Sequence, residues 1–260
     1  MKSLLKYLNY LISAKSAHGV HSPFVSKFIH ELFETNNQDY YPFKELNKIR
    51  EELLKNNSII EITDFGAGSK IFKSNQRKIS DIAKHGISKK KFSELYFKLI
   101  NFCDAHYIVE LGTSLGLNTL YLAKANSKSI VYTVEGCSQL NKFAEELFKK
   151  HGAQNIKTLN NTFEIALPEI LNQIPQLDIL YVDGNHQYSA TINYFKLALQ
   201  KKHVGSVFIF DDINWNEEMQ KAWEEIKNNS EVTLSIDLFY VGIVFFRKEQ
   251  KQKEHFVLKY

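Results

Sequence analysis

The stretch Ile108–Ala123, IVELGTSLGLNTLYLA, constrains the fold of this chain more than any other. Ile108, Val109 and Leu111 make a short apolar strand, Gly112 and Gly116 let backbone approach a ligand closely, and Leu117, Leu120, Tyr121 and Ala123 open a helix. Glu110 sits at the end of the strand, with Ser114 in the turn and Asn118 at the start of the helix. A helix N-terminus beneath such a turn offers unpaired N–H groups and a positive dipole end, which suit a carboxylate or a ribose edge. The spacing is G-x-x-x-G, not the G-x-G-x-x-G of a pyrophosphate-binding unit. A second strand, Ile130–Val134, ends at Glu135, where a doubly wound sheet places an acid on ribose hydroxyls.

The same alternation continues to the end of the chain. Strands are expected near 107–111, 130–134, 155–159, 177–182 and 205–210, with helices between them, and Tyr188, Ile192, Phe195 and Leu199 mark one helix face. Val232–Ile236 and Phe239–Phe246, separated by a short turn at Asp237, read as an antiparallel hairpin at the sheet edge. Before Tyr107 the chain reads as mostly helical: to about Ser13, from Ser22-Pro23, around Phe43–Lys55, and from Ser88 to about Asp104. The expectation is an α/β, doubly wound, Rossmann-like fold, with residues 1–87 as a helical extension or lid and 88–260 as the main domain.

These features resemble the class I S-adenosylmethionine-dependent methyltransferases over about residues 88–247. Their first motif is an acid with a glycine loop, and their second is a ribose-binding acid. The resemblance implies a seven-stranded sheet with only the last strand reversed. It also implies that S-adenosylmethionine contacts Glu110, Gly112, Ser114, Gly116, Asn118 and Glu135. Asn160–Glu164, NNTFE, falls where this fold meets adenine, which nominates Thr162 and Phe163, although Phe163 also suits a helix core.

Three further acids end strands. LDILYVDGNHQY carries Asp183, and SVFIFDDINW carries Asp211 and Asp212. Carboxyl ends of strands form the ligand crevice of an open α/β sheet, and hard oxygen ligands there suit Mg²⁺ or a similar ion. Taken singly, Asp183-Gly184 also suits a turn and Asp212 a helix cap. The set resembles the metal-dependent O-methyltransferases of the catechol and caffeoyl-CoA type, and the sugar O-methyltransferases with Asp-Gly-x-His. That resemblance implies Asp183, Asp211 and Asp212 as metal ligands. Where the catechol type has a lysine base, this chain has His186, as the sugar enzymes do. A metal-bound hydroxyl acidified by the ion and deprotonated by a near-neutral imidazole would then attack the sulfonium methyl.

Composition narrows the alternatives. Cys103 and Cys137 form no C-x-x-C, so neither a disulfide framework nor a zinc site is indicated, and a reducing, cytoplasmic setting is expected. The net charge is +4, and Arg247–Tyr260 contributes five Lys/Arg against two Glu, so the body is nearly neutral and nucleic acid is not an expected partner. That tail is expected to be solvated. The amphipathic N-terminal helix, broken by Lys6 and Asn9, lacks a signal peptide's continuous apolar core and reads as packing surface rather than a membrane anchor. The longest apolar run, Leu238–Phe246, is too short to span a bilayer. His18 and His21 in SAHGVHSPF, and the turn Asp64–Ser69, DFGAGS, are more economically loop features than metal or kinase sites.

The expected function is therefore divalent-metal-dependent O-methylation of a small hydroxylated substrate. Its competitors are a metal-independent methyltransferase, a protein that binds S-adenosylmethionine without turnover, and an NAD-linked reductase. The last is disfavoured because the Tyr40…Lys44 pair contains Pro42 and precedes the sheet. Substrate identity and oligomeric state, a homodimer included, are not encoded in any residue pattern.

Overall fold

The computed structural model describes residues 2–16, 19–34, 40–63, 74–249 and 252–260; His18 and the DFGAGS turn lie outside the described residues. The chain begins with α1 (Lys2–Ser13), α2 (Pro23–Ile29), which continues into a π-helical turn His30–Glu34, and α3 (Tyr41–Lys55). A short antiparallel pair follows, β1 (Ile59–Glu61) with β2 (Gln76–Lys78), which the largely helical expectation for this region did not include. Next come α4 (Ile79–His85) and α5 (Lys90–Cys103). The alternating region is β3 (Tyr107–Leu111), α6 (Leu117–Ala125), β4 (Ile130–Val134), α7 (Ser138–Lys150), β5 (Ile156–Leu159), α8 (Phe163–Gln173), β6 (Leu177–Val182), α9 (Tyr188–Leu199), β7 (Lys202–Phe210) and α10 (Glu217–Asn228). It closes with β8 (Leu234–Asp237), β9 (Gly242–Phe245) and β10 (Glu254–Val257).

The main sheet runs β10-β8-β9-β7-β6-β3-β4-β5, and β9 alone is antiparallel to its neighbours. The expected seven strands with the final one reversed are all present. β10 adds an eighth, so the basic tail expected to be solvated instead pairs in parallel with β8 and buries Leu258. The hairpin is consequently not the edge.

Alternation along the strands divides the core into two layers. Ile108, Val131, Ile179, Tyr181, Val207 and Ile209 face α2, α5 and α6. Val109, Leu111, Leu180, Val182, Phe208 and Phe210 face α8, α9 and α10. Both faces of β6 are covered, which is why LDILYV reads as an unbroken apolar run apart from Asp178. A third cluster joins α3 and α4 to α6 and α7. The chain leaves β3 towards β4 and β5, then crosses back to β6. The loops after β3 and β6 therefore diverge, and a crevice opens between them. No helix among the described residues is long and apolar enough to cross a membrane.

Candidate active site

A cavity of about 470 Å³ lies at this divergence. Its floor is the turn after β3. Gly112 has φ +114°, and a Cβ there would stand 2.2 Å from the carbonyl oxygen of Asp183, so glycine is what lets the loops after β3 and β6 touch. Ser114, also left-handed at φ +50°, points its N–H at Glu135 Oε2, 2.9 Å away. Gly116 has a different task from the expected ligand approach. A Cβ there would meet the Phe148 ring at 2.7 Å and Ala144 at 3.0 Å, so this glycine seats α7 against the start of α6 and does not line the cavity.

Glu110 and Asn118 also lie beneath the cavity rather than on its wall. Glu110 is fully buried, and its carboxylate accepts from Asn118 Nδ2 at 3.0 Å, Thr133 Oγ1 at 2.6 Å and the Thr119 hydroxyl. It ties β3 to β4 and to the first turn of α6. Burial pushes its carboxyl up to about 7, against the hydrogen bonds that favour the charged form. The folded state thus keeps a proton that the unfolded chain, near its ordinary 4.5, releases. This contribution to stability is fully present below that value and is lost as pH rises through about 7. Relative to Glu110→Gln, the wild type should lose about 2–3 kcal/mol between about pH 5 and about pH 8. Urea melts of both proteins across that range check this, and parallel profiles would show that Glu110 is charged throughout.

The far end of the cavity is set by Glu135, which follows β4. Its Oε1 accepts from the Cys137 N–H at 2.9 Å, and Asn160 Nδ2 holds the Glu135 carbonyl at 2.7 Å. Thr162, the residue before α8, and Phe163, the first residue of that helix, both line the cavity. The Phe163 ring packs edge-on against Tyr194, and a Cβ at Gly184 would approach it to 2.8 Å, so it is both a cavity wall and the reason the loop after β6 needs glycine.

Asp183, Asp211 and Asp212 line the opposite end with His186. Asp183 and Asp211 converge on one phenol, Tyr181 Oη, at 2.9 and 2.8 Å, and Ser88 Oγ stands 3.0 Å from the same hydroxyl. A phenol has one proton and cannot donate to both carboxylates at once. Burial, then repulsion from neighbouring carboxylates, pushes Asp211 up to about 7 and Asp183 well above the usual carboxylate range. Asp212, left-handed at φ +55°, is turned towards His186 instead, with Oδ2 3.8 Å from Nε2. Asn216 Nδ2 donates to the His186 carbonyl at 3.0 Å, and the Trp215 ring lies 6.3 Å from the imidazole. The expected three-carboxylate ligand set is therefore split into a pair and a partner for histidine. Among the described residues, no three His, Cys, Asp or Glu side chains are grouped to hold an ion.

Several lining residues escaped the sequence reading. Tyr181, buried behind the wall where its hydroxyl meets Asp183 and Asp211, was missed as well although it had a usable signal, since it lies two residues before Asp183 on a strand and so faces the same way. Ser88, Lys89 and Phe92 at the start of α5, and Tyr240 in the β8–β9 turn, had none. They reach the cavity only through tertiary packing, with Lys89 Nζ 4.2 Å from the centre of the Tyr240 ring.

The comparisons with known proteins bear on this geometry. Residues 109–213, from β3 to just past β7, match a family model described as a methyltransferase domain. This stretch is similar to a methyltransferase domain. The structure of an O-methyltransferase from Bacillus cereus in complex with SAH superposes with a TM-score of 0.57 at 16% identity, covering 85% of this chain and 96% of that one. At that identity the likeness concerns the fold. O-methyltransferase hkm8 of Aspergillus hancockii is 29% identical over 122 residues, 45% of this chain and 47% of that protein. Uncharacterized protein R132 of Acanthamoeba polyphaga mimivirus is 31% identical over 83 residues, 30% of this chain and 38% of that protein. The chain thus spans under half the length of these relatives.

Proposed function

We propose that this chain transfers a methyl group from S-adenosylmethionine to a hydroxyl oxygen of a small molecule. One observation carries the reading: a single cavity has a strand-end acid, Glu135, at one end and an imidazole–carboxylate pair, His186 with Asp212, at the other. The Bacillus protein's SAH and the Aspergillus protein's name support the cofactor and the acceptor atom. Glu135 would bind the ribose hydroxyls, the backbone at Gly112 and Ser114 the methionine end, and Thr162 and Phe163 the adenine side. When bound, the cofactor supplies an electrophilic methyl on a sulfonium. His186 accepts the proton of the substrate hydroxyl, and Asp212 stabilises the imidazolium that results. Residues 1–87, with Arg77, Ile82 and His85 on the cavity wall, are proposed as its cover, in a chain whose free cysteines suit a reducing cytoplasm.

A second reading adds a divalent cation, and the Asp183/Asp211 pair favours it. Two buried carboxyl groups that meet one phenol are hard oxygen donors, and among the described residues the groups at hydrogen-bond distance from them are hydroxyls and backbone. Asp183, Asp211 and Asp212 would hold such an ion, which would lower the pKa of a bound hydroxyl. The donor chemistry fits, while the arrangement of Asp212 towards His186 does not.

Calorimetry tests both. Glu135→Ala should weaken S-adenosylmethionine binding by about 1–3 kcal/mol, the scale of leaving buried polar groups unpaired. Unchanged affinity in the folded variant removes Glu135 from the site. Titration of chelator-treated protein with Mg²⁺ and Mn²⁺ decides the second reading, with heat lost in Asp183→Asn expected if the ion binds there. Binding of S-adenosylmethionine without release of S-adenosylhomocysteine over a panel of hydroxylated compounds would favour a non-catalytic protein.

A further inference from the structure

The helix α1 presents its apolar residues outward. Leu5, Leu8 and Ile12, spaced three and four apart, share one face and are 60%, 45% and 85% exposed. The opposite face is the one that packs. The Tyr7 and Tyr10 rings lie 4.9 and 5.3 Å from the Phe239 ring, and the Tyr10 hydroxyl donates to the Leu258 carbonyl. α1 is thus anchored to the body on one side and carries an apolar stripe on the other, the reverse of an ordinary surface helix.

Charge says what this face suits. α1 and the residues just after it contain Lys2, Lys6 and Lys15 and no Asp or Glu, whereas Lys27, on α2, is ion-paired with Glu31. Pairing α1 with α1 of a second copy would set lysine against lysine with no acid on either helix to offset them. An anionic lipid surface meets both features, accepting the leucine and isoleucine side chains into its interfacial zone while its headgroups offset the positive charge of the helix, where Lys15 is exposed and Lys6, also exposed, bonds to the uncharged Gln220. We propose that α1 is an interfacial helix that lies on an anionic membrane surface. The sequence alone assigned this helix to packing; its inward tyrosines do pack, and the aliphatic stripe is left for lipid. Contact with the site follows directly, because Phe239, on which α1 rests, is the neighbour of Tyr240 in the cavity wall.

The test is flotation of the full chain with phosphatidylcholine vesicles containing about 30 mol % phosphatidylglycerol, against pure phosphatidylcholine vesicles. At low salt, binding to the anionic vesicles should exceed binding to the neutral ones at least about tenfold and should collapse in high salt. Ile12→Glu, at a side chain that packs little, should abolish it without lowering the melting temperature. Ile12→Ser removes apolar area without adding charge and should weaken binding in the same direction if the glutamate variant fails to fold. Equal binding to both vesicle types, or none to either, overturns the proposal. So does a concentration-dependent dimer in sedimentation without lipid that Ile12→Glu dissociates, which would assign the stripe to a second copy.

Discussion

Turnover in His186→Gln should fall by about 10²–10⁴-fold, the usual range for removing a positioned base, while affinity for S-adenosylmethionine stays close to that of the wild type. Glutamine keeps most of the side-chain volume and a polar end near Asp212 but cannot take up a proton at neutral pH. The loop should survive the change, because Asn216 grips the backbone carbonyl of residue 186 rather than the ring. Asp212→Asn should follow with a smaller loss, since it leaves the imidazole in place without the carboxylate 3.8 Å away. Steady-state release of S-adenosylhomocysteine, with cofactor binding measured in parallel, distinguishes the outcomes. Equal turnover in wild type and His186→Gln would remove His186 as the base, and a collapse of cofactor binding would make it a structural residue of the pocket.

Gly112→Ala should be the most destabilising single-methyl change in the molecule's site. The added Cβ would sit 2.2 Å from a backbone carbonyl oxygen, and φ at +114° is a conformation that L side chains rarely adopt. Strain of about 1–3 kcal/mol from the dihedral and a similar amount from overpacking predict a loss of about 3–5 kcal/mol. That corresponds to a melting temperature lower by about 10 °C for a chain of this size. Thermal melts of the two proteins check it. The reason differs from the one the sequence suggested, where a side chain at 112 was expected to block a ligand: the obstruction is the protein's own loop at Asp183. Gly112→Ala melting within about 2 °C of wild type would mean that the loops after β3 and β6 can separate at little cost.

How much was legible in the chain depends on the range over which each residue acts. β3, β4 and β6 were readable because both of their faces are buried and each is apolar but for one residue, Glu110, Thr133 and Asp178. Asp183, Asp211 and Glu135 were readable because a strand's carboxyl end places its last acid at the crevice whatever surrounds it. Glu110 was readable as an acid but not in its task, since only the packed structure shows Thr119, Thr133 and Asn118 closing over it. Gly116 was misread for the same reason, its partner Phe148 being 32 residues away. The tail after Arg247 looked solvated because its charge is conspicuous and its strand is only four residues long. Pairing with β8, more than propensity, makes it a strand. Lys89 and Tyr240 meet over the cavity although neither stands in a pattern of its own.

The closure of the sheet by β10 has a consequence for synthesis. α1 is synthesised well before the partners that fix it: Gln220 for Lys6, Phe239 for Tyr7 and Tyr10, and Val257 and Leu258 for Lys15 and Tyr10. An amphipathic helix with leucines on its surface must therefore wait until residues 220–258 have been made before it can dock fully. Contacts this distant in sequence form late, because the loop they close must first be ordered. During translation α1 is an unattached apolar helix, available to lipid or to a chaperone before it is available to its own fold. A nascent chain arrested before residue 220 should accordingly expose α1 to protease, and one extended past residue 260 on a linker should protect it.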